Sequence, residues 1–255
     1  MIALALVRGV PSTFARAISA RPPDVPIDVA RARAQHAAYV AALRSLGPTI
    51  VEIPADDAFP DCVFVEDAAV VARGAALIAR PGAASRRGEV DAVAAALAGR
   101  AEIHRMEAPA TLDGGDVLRA GDSIYVGLSA RTNAAGAARL AEVFGPRGLA
   151  VRTVELPPGV LHLKSVCSPL GNDCVLVAAG ALPASTFRVA RVLVAPPDEA
   201  RAANAMACAG GALVAARCPE TQALVEAAGL RVVPVDTSEL AKADGALTCL
   251  SILVD

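Results

Sequence analysis

Apolar and polar positions along the chain change period in a fixed succession. A short apolar run of strand character is followed by a second one, then by a stretch of helical period, then by a β-branched run. The first runs lie in segments opening at Cys62 ("CVFVEDAAVV"), Ala110 ("ATLDGGDVLR"), Gly159 ("GVLHLKSVCS"), Asn204 ("NAMACAGG") and Gly245 ("GALTCLSILVD"). Second strands are predicted from Ala75, Ser123 and Ala212. Helices are predicted over Asp28–Leu46, Arg87–Ala98, Thr132–Phe144 and Pro219–Ala228. Gly47-Pro48, Gly99, Gly145-Pro146 and Gly229 stop them, and Pro219 suits a first helical position. Closing strands are predicted from Thr49, Ala101, Leu149 and Leu230. The third unit is weaker, with only a segment near Ser185–Arg191 for its helix.

Recurrence at such intervals marks repeated supersecondary units. The unit opening at Gly245 lacks a second half, and the missing helix and strand stand near the amino terminus, in "RAQHAAYVAALRSLGPTIVEI". A chain that starts inside one of its own modules is what a closed ring requires. The expectation is an α/β ring of five ββαβ modules in a single domain over residues 1–255, closed by the N- and C-terminal segments. A dinucleotide-binding sheet would need a Gly-x-Gly-x-x-Gly turn, which is absent. The Gly114-Gly115 doublet is flanked by Asp113 and Asp116, which would repel a phosphate. Pro11–Pro26 is loop-like and suits a mobile flap.

Composition narrows the class of partner. The 255 residues are 55% hydrophobic and only 3% aromatic, without Trp, so Ala, Val and Leu build the core. A net charge of −2, with basic and acidic residues interspersed, argues against nucleic acid or an anionic membrane. "MIALALV" lacks a positive flank and meets Arg8 too early for a signal peptide, and no apolar run is long enough to span a bilayer. The expected setting is cytoplasmic. The six cysteines show neither Cys-x-x-Cys nor zinc spacing, so no metal is expected and most thiols read as buried hydrophobes.

A ring focuses Glu66, Asp67, Asp113, Asp116, His162 and Cys249 on one axis. Cys249 and His162 both fall in short apolar strands at equivalent repeat positions. A thiol needs a cationic neighbour or a cationic substrate to become a useful nucleophile. The acids around it, with Asp61, make an anionic pocket, and a guanidinium fits such a pocket because carboxylates accept its forked donors two at a time. Its carbon is a poor electrophile, so attack calls for a soft nucleophile and for an acid to protonate the departing amine. Arg86 and Arg131, opposite the acids, suit a carboxylate. A free amino acid with a guanidinium at its far end satisfies both poles.

"DCVFVEDAAVV", "RPGAASRRGEV", "TLDGGDVL", "VGLSARTN", "LHLKSVCS" and "DGALTCLSIL", in order across the whole chain, resemble the dimethylarginine dimethylaminohydrolase family. The resemblance implies a five-fold pseudosymmetric α/β propeller and a hydrolase that converts asymmetric dimethylarginine or monomethylarginine to citrulline. It implies Cys249 as nucleophile, His162 as acid/base and Asp113 as the acid that orients it. Asp61, Glu66, Asp67 and Asp244 match substrate contacts, Arg86 and Arg131 the holders of the α-carboxylate, and the backbone of Ala243 a neighbour of the bound amino acid. The implied path runs through a covalent S-alkylthiouronium and needs no metal or organic cofactor. The expected partner is a small methylated arginine; a homodimer is possible.

Arginine and agmatine deiminases share the fold and the Cys/His pair, but resemble His-x-Asp where this chain has Lys164 in "HLKS". That aspartate grips an unmethylated guanidinium nitrogen, so its loss favours a methylated substrate. A compact arginine deiminase is the nearest alternative. A non-catalytic binding protein of the same fold is the second, disfavoured because every matched position is present and no basic surface stands out.

Overall fold

The structure, a computed structural model, describes residues 4–255. The opening "MIALALV" thus lies partly outside the described residues. Among the described residues the strands form five three-stranded sheets of one topology. In the first, β3 (Ala69–Ala72) runs antiparallel to β4 (Ala75–Ile78); helix α2 (Val90–Leu97) then leads to β5 (Glu102–Arg105), parallel to β4. The second repeats this with β6 (Val117–Ala120), β7 (Ser123–Leu128), α3 (Ala134–Phe144) and β8 (Ala150–Glu155). The third has β9 (Cys167–Gly171), β10 (Cys174–Ala178) and β11 (Arg191–Ala195). The fourth has β12 (Met206–Cys208), β13 (Gly211–Ala215), α4 (Pro219–Ala227) and β14 (Val232–Val235).

The fifth sheet takes its parts from both ends of the chain. Strand β1 (Leu4–Arg8) lies between antiparallel β15 (Ser251–Val254) and parallel β2 (Thr49–Ile53), with α1 (Val29–Ser45) as the connecting helix. Leu6 faces Ile252 on one side and Val51 on the other. This is the split module read from the sequence.

Local chemistry sets the element ends. Asp28 caps α1 by accepting the Arg31 N–H, and Gly47 leaves it at φ +110°. The Asn133 side chain caps α3 through the Gly136 N–H, and Pro219 opens α4. The middle strands β4 and β10 are buried throughout, which their unbroken apolar sequence requires. Helix α2 starts at Val90, three residues after the expected Arg87, because a 3₁₀ turn over Ala84–Arg86 comes first.

Helices join neighbouring sheets. Besides its own sheet, α2 packs on β2, α3 on β4, α4 on β11 and α1 on β14. The third unit has no α-helix, only a 3₁₀ turn over Ala184–Thr186. Phe187 follows that turn and packs edge-on against Tyr125 of the second sheet, ring centroids 5.1 Å apart, while the Arg188 N–H donates to the Tyr125 hydroxyl at 2.6 Å. One aromatic contact thus replaces a helix–sheet interface.

The first strands β3, β6, β9, β12 and β15 all contribute to the wall of one cavity of about 640 Å³. Their approach to a common centre places the segments just before them side by side.

Candidate active site

Each first strand is preceded by a 3₁₀ turn, over Val65–Ala68, Gly114–Asp116, Leu163–Ser165, Pro197–Ala203 and Thr248–Leu250. The candidate groups sit on these turns. Glu66 and Asp67 are in the first, Asp113 directly precedes the second, His162 the third, and Cys249 is in the fifth. This corrects the expectation that Cys249 and His162 lie within strands. The backbone there curls out of the ladder, which frees the side chains from the in-out alternation of a sheet.

The turns are packed in series: 248–250 on 65–68, 65–68 on 114–116, and 114–116 on 163–165. The Gly114-Gly115 doublet permits this approach. A Cβ on Gly114 would stand 2.0 Å from the Glu66 carbonyl oxygen, and one on Gly115 would stand 2.7 Å from the His162 ring. Glycine is required here for space between turns.

His162 Nε2 lies 3.1 Å from Asp113 Oδ2, and Asp113 Oδ1 accepts the Gly82 N–H at 2.9 Å. Asp116 holds the same turn from below, its Oδ1 accepting the Leu163 N–H at 3.0 Å and its Oδ2 the Ser129 hydroxyl at 2.6 Å. Burial opposes charge on His162. The fields of Asp67, Asp116 and Asp113, with the Asp113 hydrogen bond, outweigh it and raise the imidazole to about 9. It is therefore a cation at neutral pH.

Cys249 is half-buried, unlike the other five cysteines, which are buried; all six are free. Burial first, and then the fields of Glu66 and Asp67, push its thiol up to about 12. Unaided, it stays protonated at neutral pH.

Asp67 is driven the other way. Burial opposes its ionisation, but His162, Arg86 and the Gly115 N–H bring it down to about 2. Glu66 is raised by burial, an effect countered by the Lys164 ammonium, with which it is ion-paired, and by the Thr248 hydroxyl at 2.8 Å. Asp61 accepts the Ile18 N–H at 2.9 Å and Asp244 the Ala20 N–H at 2.6 Å. The Pro11–Pro26 segment is thus latched onto both acids, and Phe14 at its base packs edge-on to Phe64. Ala243 is buried beside Asp244, which adopts a left-handed conformation at φ 57°.

The two arginines differ. Arg86 was expected opposite the acids, but it lies among them. Its Nη1 donates to Asp67 at 2.6 Å, its Nε and Nη2 to Glu89, and Nη2 also to the Phe64 carbonyl at 2.9 Å. Arg131 has one long ion pair, 3.8 Å to Asp113, and a partly exposed side chain. It is the guanidinium with donors to spare.

Three groups escaped the sequence reading as site members. Glu89 neutralises Arg86, while Thr248 and Asn204 tie turns together. Thr248 and Asn204 carry no charge, and their one signal was their place in the repeat. Asp67, Asp113 and His162 offer ligand atoms within 4.8 Å of one another, a spacing that suits a cation. Their polar atoms already serve Arg86, Gly115, Gly82 and each other, so they form a hydrogen-bonded charge cluster. The 640 Å³ cavity touches the site only through Glu66, Gly114, Lys164 and Thr248; Cys249, His162 and Asp113 do not line it.

A neutral thiol, an imidazolium with its own carboxylate, and acids flanked by a guanidinium with donors to spare suit nucleophilic substitution on a cationic substrate. Comparison with known proteins agrees. The model of the family "N,N dimethylarginine dimethylhydrolase, eukaryotic" matches residues 19–195. The chain is similar to N(G),N(G)-dimethylarginine dimethylaminohydrolase of Streptomyces coelicolor, 43% identical over 89% of this chain and 87% of that one. The Pseudomonas aeruginosa enzyme of the same name is 37% identical over 88% and 89%. Two solved structures superpose with a TM-score of 0.93 at 33% identity: the P. aeruginosa C249S mutant complexed with citrulline, covering 99% of both chains, and a dimethylarginine dimethylaminohydrolase H162G adduct with S-methyl-L-thiocitrulline, covering 99% of this chain and 100% of that one. The N-terminal domain of ArgZ, an arginine dihydrolase of cyanobacteria, shares the fold at 18% identity, with a TM-score of 0.88 over 98% of this chain and 97% of that one. With its thiol, imidazolium and acids arranged in this way, the chain belongs to the dimethylarginine dimethylaminohydrolase family.

Proposed function

We propose that the chain hydrolyses Nω-methylated arginine to citrulline and an alkylamine, with Cys249 as nucleophile and His162 as acid/base. The observation that carries this reading is the pair of protonation states. The thiol, near 12, is neutral, and the imidazole, near 9, is charged. Such a site is idle until a cation enters. A guanidinium seated against Glu66 and Asp67 offsets their fields and sets a positive charge beside the sulfur that counters its burial, and Cys249 then loses its proton to solvent.

The thiolate attacks the guanidinium carbon to give a neutral tetrahedral adduct. His162, held by Asp113 at Nε2, protonates the methylated nitrogen as the carbon–nitrogen bond breaks. A positively charged S-alkylthiouronium remains, and Asp67 and Glu66 stabilise it. The neutral imidazole then takes a proton from water, whose oxygen attacks the same carbon. Collapse breaks the carbon–sulfur bond and leaves citrulline, the adduct's hydroxyl proton passing to the departing sulfur to restore the neutral thiol. Arg131 receives the substrate α-carboxylate, and Arg86 adds its positive field from among the acids. Asp61, Asp244 and the Ala243 backbone serve the amino acid end.

Lys164 favours a methylated substrate over plain arginine. Its ammonium, paired with Glu66, stands where the deiminases resemble His-x-Asp, so no carboxylate at that position is left unpaired by N-methyl groups. We place the activity in the cytoplasm, where six free thiols would be kept reduced. No helix among the described residues is long and apolar enough to cross a membrane.

The test is citrulline release from asymmetric dimethylarginine and from arginine, by wild type and Cys249→Ser. Release from the methylated substrate, lost in the variant, is expected. Preference for arginine would make the protein a deiminase, and silence on both from folded protein would move it first to another guanidine compound and then to the binding-only reading.

A further inference from the structure

Four of the five pre-strand turns present groups assigned above to substrate or proton. Asn204, directly after the remaining turn, has no such assignment, yet it is 2% exposed and bonds to two other turns. Its Nδ2 donates to the Lys164 carbonyl at 2.7 Å, two residues after His162, and to Thr248 Oγ1 at 3.0 Å, next to Cys249. Its Oδ1 accepts the Thr248 backbone N–H at 2.9 Å. With its oxygen accepting from Asn204, the Thr248 hydroxyl turns its own proton to Glu66 Oε2.

We propose that Asn204 is a positioning residue of the hydrolysis. It clamps the turn of the nucleophile to the turn of the acid/base, and so sets the separation at which Cys249 and His162 act on one substrate carbon; through Thr248 it also orients Glu66. The inference rests on the roles given above to Cys249 and His162. Asn204 bonds to neither side chain, and its effect passes through backbone and Thr248.

The amide suits this task. One N–H, one carbonyl and one hydroxyl must be joined, and a planar amide offers one acceptor and two donors. Aspartate has the same shape and keeps the acceptor, but loses both donors and sets a charge against the Lys164 carbonyl. The packing of the unit lies elsewhere, in the cluster of Ala202, Ala203, Ala205 and Val225.

The experiment measures kcat and KM for asymmetric dimethylarginine, with Tm, on wild type, Asn204→Ala, Asn204→Asp and Val225→Ala. A misplacement of about 1 Å costs about 100-fold in rate. Both Asn204 variants are therefore expected to lose about 30- to 100-fold in kcat, with KM changed less than about threefold. Val225→Ala, which thins the same core, should keep wild-type kcat despite a lowered Tm. Wild-type kcat in Asn204→Asp, a KM that rises as kcat falls, or an equal kcat loss in Val225→Ala would each overturn the clamp. If Asn204→Ala does not fold, the isosteric Asn204→Asp decides. A wild type without turnover would instead remove the functional reading beneath it.

Discussion

His162 and Asp113 are 49 positions apart in the chain and 3.1 Å apart at Nε2 and Oδ2. The imidazolium is thus held by a carboxylate from the preceding module, and its proton affinity depends on contact between turns. Asp113→Asn keeps the shape and removes the charge. The imidazole then falls from about 9, so less of it is acid at a given pH. The expected result is an alkaline limb of kcat moved down by about one unit or more and a kcat at neutral pH lowered by about 100-fold. A pH–rate profile of wild type and variant checks both. An unmoved limb would dissociate Asp113 from the titration of His162.

The two arginines should separate in one pair of variants. Arg131→Gln removes a partly exposed guanidinium with a single long ion pair, so KM for methylated arginine should rise at least tenfold while Tm changes little. Arg86→Gln leaves Asp67 and Glu89 buried without their common partner, a loss on the order of 3–5 kcal/mol. Denaturant melts and steady-state kinetics on both would show the contrast. A stable Arg86→Gln with only a raised KM would return that residue to the substrate carboxylate.

Lys164→Asp replaces the ammonium paired with Glu66 by an acceptor. The ratio of kcat/KM for arginine to that for asymmetric dimethylarginine should rise by about tenfold or more, with both values below wild type. Citrulline release from the two substrates gives the ratio directly. An unchanged ratio would remove Lys164 from the discrimination.

Acid should destabilise the protein through His36, on α1. Burial holds its imidazole down at about 4 against an ordinary 6.5, and its Nε2 has no hydrogen-bond partner among the described residues. The folded state binds this proton less readily than the unfolded chain. Stability is therefore full above 6.5, erodes as pH falls, and has lost about 3 kcal/mol once pH is below 4. His36→Leu removes the titration, so its Tm should fall less steeply than wild type between pH 6.5 and 4. Parallel Tm-against-pH curves would contradict this origin.

The five-unit pattern and the split module were legible because glycine stops and β-branched runs recur at matching places. The backbone under the chemistry was not. Val63, Phe64 and Val65 read as strand beside Ala69–Ala72, but residues 65–68 form a 3₁₀ turn and the ladder with β4 begins only at Ala69. Arg86 was placed by its charge, and only the fold shows that the Phe64 carbonyl and the carboxylates of Asp67 and Glu89 close around it. Asn204 carried no chemical signal at all, since an uncharged amide at a unit boundary resembles any loop residue. The third helix was doubted in the sequence, and Phe187 shows what stands in for it.

The latch of the Pro11–Pro26 segment changes what an affinity means for this protein. Asp61 and Asp244 are both engaged by the segment, the amides of Ile18 and Ala20 lying on them. A ligand that calls on those acids enters by exchange and competes with an inhibitor tethered to the same chain. Measured dissociation constants are then differences between two sets of hydrogen bonds, and a change in the segment that weakens its hold would make an unrelated ligand bind more tightly.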